Sequence, residues 1–293
     1  MKSRFYEDDK ERWKEIGNLR NRVAEHLRVT QGSRVLDVLV GEGDFARAVA
    51  KFQKESHVVA GEILESDLDE AKRRVERDGL KQRVELLRID VTYMPFADES
   101  FTHVVNFSGW EDFTAISGEG LINRAFDEMV RVLKTDGTLA VTFIPALTPT
   151  DEVSRKDKEL EDFMYKSEKK PKFFDEYYFL KEFEKHGIEL IGKKVFETPK
   201  DRLRPRDARG FIEWHCENYK SFYRPEVEMR PNEEIIERFK GFIDEYGIRE
   251  RRSKFVLLIG KRLVDSKKGK ERVSSEQRAG GQTVDHNERT QIF

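Results

Sequence analysis

A single cysteine in 293 residues, Cys216, excludes an internal disulfide. No Cys and His spacing in the chain has the form of a zinc site, so no metal is expected. No run of about 18 apolar residues occurs, and the first residues lack the apolar stretch of a secretory leader. The expectation is a cytoplasmic protein that neither crosses nor binds a membrane. Excess charge is also missing: 55 Lys and Arg against 57 Asp and Glu leave a net charge of -2, so any nucleic-acid surface must be local. Internal repeats are absent. What is abundant is charge of both signs, 38% of residues, with only 5 methionines. Such a surface is suited to ion-pair networks at high temperature and suggests a thermophilic source.

Apolar spacing gives the organisation. Trp13, Ile16, Leu19, Val23 and Leu27 recur at intervals of three and four, one face of an N-terminal helix within residues 1–29. Strand-length apolar runs then alternate with amphipathic stretches: strands at 34–39, 58–63, 84–89, 103–107 and 138–144, with helices between them, including one from about 121 to 133. Crossover helices between strands imply a parallel sheet covered on both faces, an α/β doubly wound fold, with residues 30–146 as its cofactor-binding core. Residues 147–263 carry a helix at 174–186 and strands at 188–196 and 254–260, which bring the mainly parallel sheet to seven strands. They also carry two inserts, 147–172 after the fifth strand and 197–248 after the sixth. The second insert contains helical stretches near 207–223 and 233–246, the latter opened by Pro231 and Asn232. Residues 264–293, rich in Lys, Ser, Gln and Gly, read as a disordered tail.

The first strand ends at Asp37 and runs into Gly41-Glu42-Gly43-Asp44-Phe45-Ala46, glycines that let backbone approach a ligand at a helix N-terminus. Taken alone this segment also satisfies the dinucleotide pattern G-x-G-x-x-A, and Glu62 at the end of the second strand can hold a ribose in either case. Asp37 at the tip of the first strand and Asp90 after the third argue against a pyrophosphate, which carboxylates would repel. A carboxylate at Asp37 can receive an ammonium, and one at Asp90 an adenine amino group.

Around these acids stand Asp90-Val91-Thr92-Tyr93-Met94-Pro95-Phe96-Ala97-Asp98-Glu99-Ser100-Phe101 and Arg131-Val132-Leu133-Lys134-Thr135-Asp136-Gly137. Here, over about residues 30–145, the chain resembles the class I S-adenosylmethionine-dependent methyltransferase family, in which similar stretches read D-x-x-x-L-P-F-x-D-x-S-F and R-V-L-K-P-G-G. The resemblance implies a Rossmann-like methyltransferase fold, S-adenosyl-L-methionine as cofactor, and a cofactor set of Asp37, Gly41, Gly43, Glu62, Ile63, Asp90, Val91 and Asn106. In one respect the chain departs from the family, with Leu39 where a glycine is usual, two residues after Asp37; a side chain is expected to crowd the turn near the methionine end.

The family's methyl group points to the end of the fourth strand, so Asn106, Phe107 and Trp110 are the candidate catalytic residues. An exocyclic base amine is a poor nucleophile; the Asn106 oxygen can draw on its protons while Phe107 or Trp110 stacks on the ring. The plainer alternative is that Asn106 caps a turn and Trp110 fills the core. Glu111 and Asp112, one step further on, are candidate proton acceptors. Cytosine C5 chemistry is disfavoured, since Cys216 lies far along the chain in an insert; His215 beside it is either a reaching base or structural.

Substrate choice is expected in the inserts. Lys166, Lys169, Lys170 and Lys172 precede Phe173 and Phe174, and Lys200, Arg202, Arg204, Arg206 and Arg209 precede Phe211, Trp214, Tyr219, Phe222 and Tyr223. Basic groups interleaved with aromatic planes suit single-stranded or flipped-out RNA. With Asn106, these inserts make the chain similar to archaeal ribosomal RNA methyltransferases acting on cytidine N4, and ribosomal RNA is the expected partner. Two readings stay beside it: a small-molecule methyltransferase with the inserts as a lid over an apolar pocket, and a non-catalytic cofactor-binding module.

Overall fold

The computed structural model describes residues 14, 17–146, 148–166, 170–197, 209, 210, 212, 213, 216, 227–246 and 254–263. Helix α1 (17–26) leads into β1 (Arg34–Val38), α2 (Asp44–Phe52), β2 (His57–Glu62), α3 (Glu65–Arg77), β3 (Val84–Arg88) and β4 (Phe101–Phe107). Then come α4 (Trp110–Ser117), α5 (Ile122–Val132), β5 (Leu133–Phe143), α6 (Glu152–Met164), α7 (Glu176–Lys185), β6 (Ile188–Glu197), α8 (Asn232–Tyr246) and β7 (Lys254–Arg262).

The seven strands lie in the order β3-β2-β1-β4-β5-β7-β6. β1 to β5 are parallel, and β7 runs antiparallel between β5 and β6. The period of two sorts strand residues onto the two faces. Leu36, Val104, Leu139, Val141, Val256 and Leu258 join the core beneath α4, α5 and α7, while their neighbours Val35, Val105, Ala140, Phe255 and Leu257 join the core beneath α1 and α2. The expected doubly wound α/β sheet is therefore observed, with its topological switch between β1 and β4, the place where such sheets bind ligands beyond the carboxyl ends of the strands.

The two inserts share one small core. Leu160 and Met164 of α6 pack with Ile235, Phe239, Phe242 and Ile243 of α8 and with Ile212 and Cys216. A short backbone bridge between Tyr165 and Met229 fixes their register, with Lys166 N donating to Glu228 O and Arg230 N to Met164 O at 2.8 and 2.9 Å. Tyr165 and Val227 then rest on Ala115 of α4. Helix α6 was not evident from apolar spacing because only Leu160 and Met164 are buried along it. Its start is marked by a capping box in which Ser154 N donates to the Asp151 carboxylate at 2.7 Å and the Ser154 hydroxyl accepts from Asp151 N at 3.0 Å. The stretches at 200–208 and 217–226, and the tail beyond Leu263, lie outside the described residues.

Candidate active site

The carboxyl ends of β1, β2 and β4 open onto a cavity of about 1010 Å³. Its floor is the turn after β1. Leu39, Gly41 and Gly43 all have positive φ, 56°, 53° and 78°. At Gly43, which precedes α2, an added Cβ would lie 3.0 Å from the Ala71 Cβ, so glycine is what lets α3 approach α2. Leu39 adopts the left-handed conformation for which glycine is the default, so the family's backbone path is retained at the cost of a side chain in a strained region. That side chain wedges against the next turn: a Cβ at Gly109 would meet the Leu39 Cβ at 3.3 Å.

Glu62 closes β2 and is bound on both carboxylate oxygens. Oε2 accepts from Gly41 N at 2.8 Å, and Oε1 accepts from Ile63 N and Leu64 N at 2.8 and 3.1 Å. Ile63 is exposed toward the cavity. Asp90 instead turns back on its own loop, its Oδ1 accepting from the backbone and hydroxyl of Thr92 at 2.8 and 2.7 Å. Neither Asp90 nor buried Val91 lines the cavity. The structure thus gathers Gly41, Glu62 and Ile63 at the opening, sets Asp37 and Gly43 beneath it, and leaves Asp90 and Val91 outside.

Asp37 is 1% exposed, and its Oδ2 has no hydrogen-bond partner. Burial pushes its carboxyl well above the ordinary carboxylate range; the Arg20 guanidinium and the Ala46 N–H oppose the shift, and the Glu62 charge adds to it. Arg20, a contributor that motif reading did not reveal, reaches in from α1. Its guanidinium donates to Asp44 at 3.3 Å and stands 5.4 Å from the centre of the Phe107 ring. The signal for it was a cation on the apolar side of an amphipathic helix, four residues after Ile16 and three before Val23. Asp44 also takes Arg47 at 2.5 Å and Arg74 at 3.0 Å, so three arginines converge on one carboxylate at the start of α2. An orphaned buried carboxylate oxygen and an exposed apolar Ile63 beside Glu62 fit the expected cofactor: Asp37 for an ammonium, Glu62 for ribose hydroxyls, Ile63 for an adenine face.

At the end of β4 the three candidate catalytic residues separate. Phe107 lines the cavity and packs on Phe45 and Phe255, with ring centres 5.1 and 5.6 Å apart. Asn106 does not line it. Its Nδ2 donates to Val38 O at 3.3 Å and Ser108 O at 2.5 Å, tying the ends of β1 and β4 together below the floor, while its Oδ1 is buried and unpartnered. Trp110 is 1% exposed and packed on Phe126 and Phe179, so it fills the core and offers no face to an acceptor. Beside Phe107 the cavity is lined by Ser108 and Glu111, joined by a 2.6 Å hydrogen bond, by the apolar side chains Phe113, Ile116, Ile144 and Phe255, and by the polar residues Asp112, Ser117, Asn18 and Asn21.

Among the described residues, no residue of α6 or α8 lines the cavity, and no His, Cys, Asp and Glu cluster has the form of a metal site. No described helix is long and apolar enough to cross a membrane. Of the basic residues singled out above, the four that are described are ion-paired: Lys166 with Glu228, Lys170 with Asp162, Lys172 with Glu119, and Arg209 with Glu213 and Glu233. Phe174 is buried. The remaining basic and aromatic residues, Lys169, Lys200, Arg202, Arg204, Arg206, Phe211, Trp214, His215, Tyr219, Phe222 and Tyr223, lie outside the described residues.

Residues 35–137 match the family model described as a methyltransferase domain. A demethylmenaquinone methyltransferase of Bacteroides fragilis is 26% identical over 122 residues, 42% of this chain and 47% of the relative. A ubiquinone/menaquinone biosynthesis C-methyltransferase of Bordetella avium is 36% identical over 116 residues, 39% of this chain and 41% of the relative. These matches span less than half the length of either relative. A solved Bacillus halodurans structure described as a methyltransferase superposes with a TM-score of 0.60 at 21% identity, covering 84% of this chain and 99% of that one, which is a likeness of fold.

Proposed function

Since residues 35–137 belong to the class I S-adenosylmethionine-dependent methyltransferase family, we propose that this chain methylates a small, largely apolar acceptor. S-adenosylmethionine supplies an electrophilic methyl group on a sulfonium. The protein's part is to hold the cofactor through Asp37 and Glu62, to leave the space above Phe107 for the acceptor, and to align the two for in-line displacement, a task done mainly by positioning.

The observation that carries this reading is the wall of Phe107, Phe113, Ile116, Ile144 and Phe255 beside Ser108 and Glu111. Apolar walls with a few convergent polar groups are the usual form of small-molecule sites. The quinone names of the two relatives agree with such an acceptor. An exocyclic base amine in RNA draws less support, because Asn106 and Trp110 are buried and Lys166, Lys170 and Lys172, three of the lysines that would meet phosphates, are paired with carboxylates.

Calorimetry with S-adenosylmethionine tests the cofactor, and incubation with labelled cofactor against isoprenoid quinols and against total RNA tests the acceptor. Label in the organic extract is expected. Label in the nucleosides instead would replace the small molecule by RNA, and absence of cofactor binding would overturn the function altogether.

A further inference from the structure

We propose that Glu111, held by Ser108 at the start of α4, takes up a proton from the acceptor, and that the acceptor therefore reacts through a weakly acidic hydroxyl, a phenol or enol. This rests on the small-molecule methyltransferase reading and names the chemistry of its substrate.

The backbone aims the carboxylate. Ser108 and Gly109 follow β4 with φ of 61° and 89°, two consecutive left-handed residues that reverse the chain and deliver the first turn of α4 to the cavity. A serine in that conformation costs energy, and such strain concentrates at functional sites. Ser108 is fixed from both sides, its N donating to Thr142 O at 2.8 Å and its O accepting from Asn106 Nδ2 at 2.5 Å. Its hydroxyl donates to Glu111 Oε1 at 2.6 Å, and Ser108, Glu111 and Phe113 line the cavity together.

Burial, and then the Asp112 charge, push the Glu111 carboxyl up to about 7, against the Ser108 hydroxyl and the Glu111 and Gly109 backbone N–H groups, which lower it. The other charged groups sharing the cavity include Arg20 from α1, Glu42 and Asp44 after β1, and Glu62 closing β2. A base near neutrality is matched to a weakly acidic hydroxyl. In the step, the O–H proton passes to Glu111, giving a neutral carboxylic acid. The electron pair of the resulting phenolate or enolate forms the bond to the methyl carbon. The carbon–sulfur bond breaks with its electrons kept on sulfur, which becomes an uncharged thioether. Glu111 returns its proton to water after product release.

The test uses the full chain with 1,4-naphthohydroquinone as acceptor probe. Glu111→Gln is expected to lower kcat by about 100-fold or more, in the range of a lost general base, with S-adenosylmethionine affinity unchanged. The rise of wild-type kcat with pH through about 7 is expected to disappear in this variant. Independently of turnover, a ¹³C-glutamate NMR titration of the wild type should show a carboxyl titrating near 7 that is missing from Glu111→Gln. Ser108→Ala should move the kcat rise to higher pH, because the hydrogen bond that favours the carboxylate is gone. Retained kcat in Glu111→Gln, or no transfer to the hydroquinone by a wild type that binds the cofactor, overturns the inference. Failure of the underlying reading is distinguishable, since it shows as absent cofactor binding or as label in nucleosides.

Discussion

Replacing Asp37 with asparagine should raise the melting temperature of the cofactor-free protein and weaken its hold on S-adenosylmethionine. Asp37 is 1% exposed with a partnerless Oδ2, and burial raises its carboxyl above the ordinary value of 3.8. Asparagine keeps an Oδ1 to accept from Ala46 N and removes the buried charge. The amide Nδ2 that replaces Oδ2 is itself unpartnered, so what is relieved is the excess cost of a buried charged group over a neutral one, on the order of 1–3 kcal/mol. At roughly 2–4 °C per kcal/mol for a domain of this size, relief of that cost is expected as a rise of about 2–12 °C. A charge-assisted hydrogen bond to the cofactor ammonium is worth about 1.5–3 kcal/mol, so binding should weaken roughly 10- to 150-fold. The sign of the pH dependence follows from the raised pKa: the folded state holds more protons than the unfolded chain, so wild-type stability falls as pH rises from 3.8 toward the folded value. In Asp37→Asn this contribution is absent. Thermal unfolding without cofactor across pH, and calorimetry with it, check both halves. A variant that melts lower than the wild type, or binds the cofactor equally well, refutes the reasoning.

Leu39→Gly removes a left-handed penalty of about 1–2 kcal/mol and a half-buried leucine worth about 1 kcal/mol; melting should therefore change little while calorimetry shows tighter cofactor binding, and weaker binding would show that Leu39 is an adaptation and not a burden. Arg20→Gln withdraws the charge that opposes the Asp37 shift, so the fall of stability with rising pH should steepen and cofactor affinity drop, both read by the same two measurements. Gly260→Ala places a Cβ 2.2 Å from Ile188 Cγ2 and 2.6 Å from the Phe183 ring. Overpacking of that kind costs about 1–3 kcal/mol, so denaturant unfolding should show a loss, with cofactor affinity of the folded protein unchanged.

The strands were legible wherever burial on both faces made the sequence continuously apolar, as in Val35–Leu36 or Val104–Val105. β5 was harder. It begins at Leu133, five residues before the apolar run at 138, because Lys134, Thr135 and Asp136 are an excursion in the ladder: pairing steps from Phe101↔Leu133 to His103↔Thr138, and Asp136 has φ 62°. Composition reads such a segment as a turn. Helix α4 was missed for a related reason. It starts on two left-handed residues and buries Trp110 in the core while presenting Glu111 and Phe113 to the cavity, so its short length hides its period. Motif spacing picked out Gly41, Glu62 and Ile63, which the structure brings to the cavity because they sit at strand ends and in the turn after β1. It could not choose between an acceptor role for Asn106 and Trp110 and the plainer alternative of a turn cap and a core filler; the structure buries both, because their exposure depends on how β1 and α5 pack beside them, which spacing along the chain does not encode.

The two inserts are separated by α7 and β6, yet Leu160 and Met164 share one apolar cluster with Ile212, Cys216, Met229 and the buried face of α8. They are one module written in two pieces. Exchanging one piece for a foreign loop would strand the apolar face of the other, so the two pieces are interchangeable only as a pair. An engineer recombining this chain with a relative should place the crossover before residue 148 and carry everything after it together.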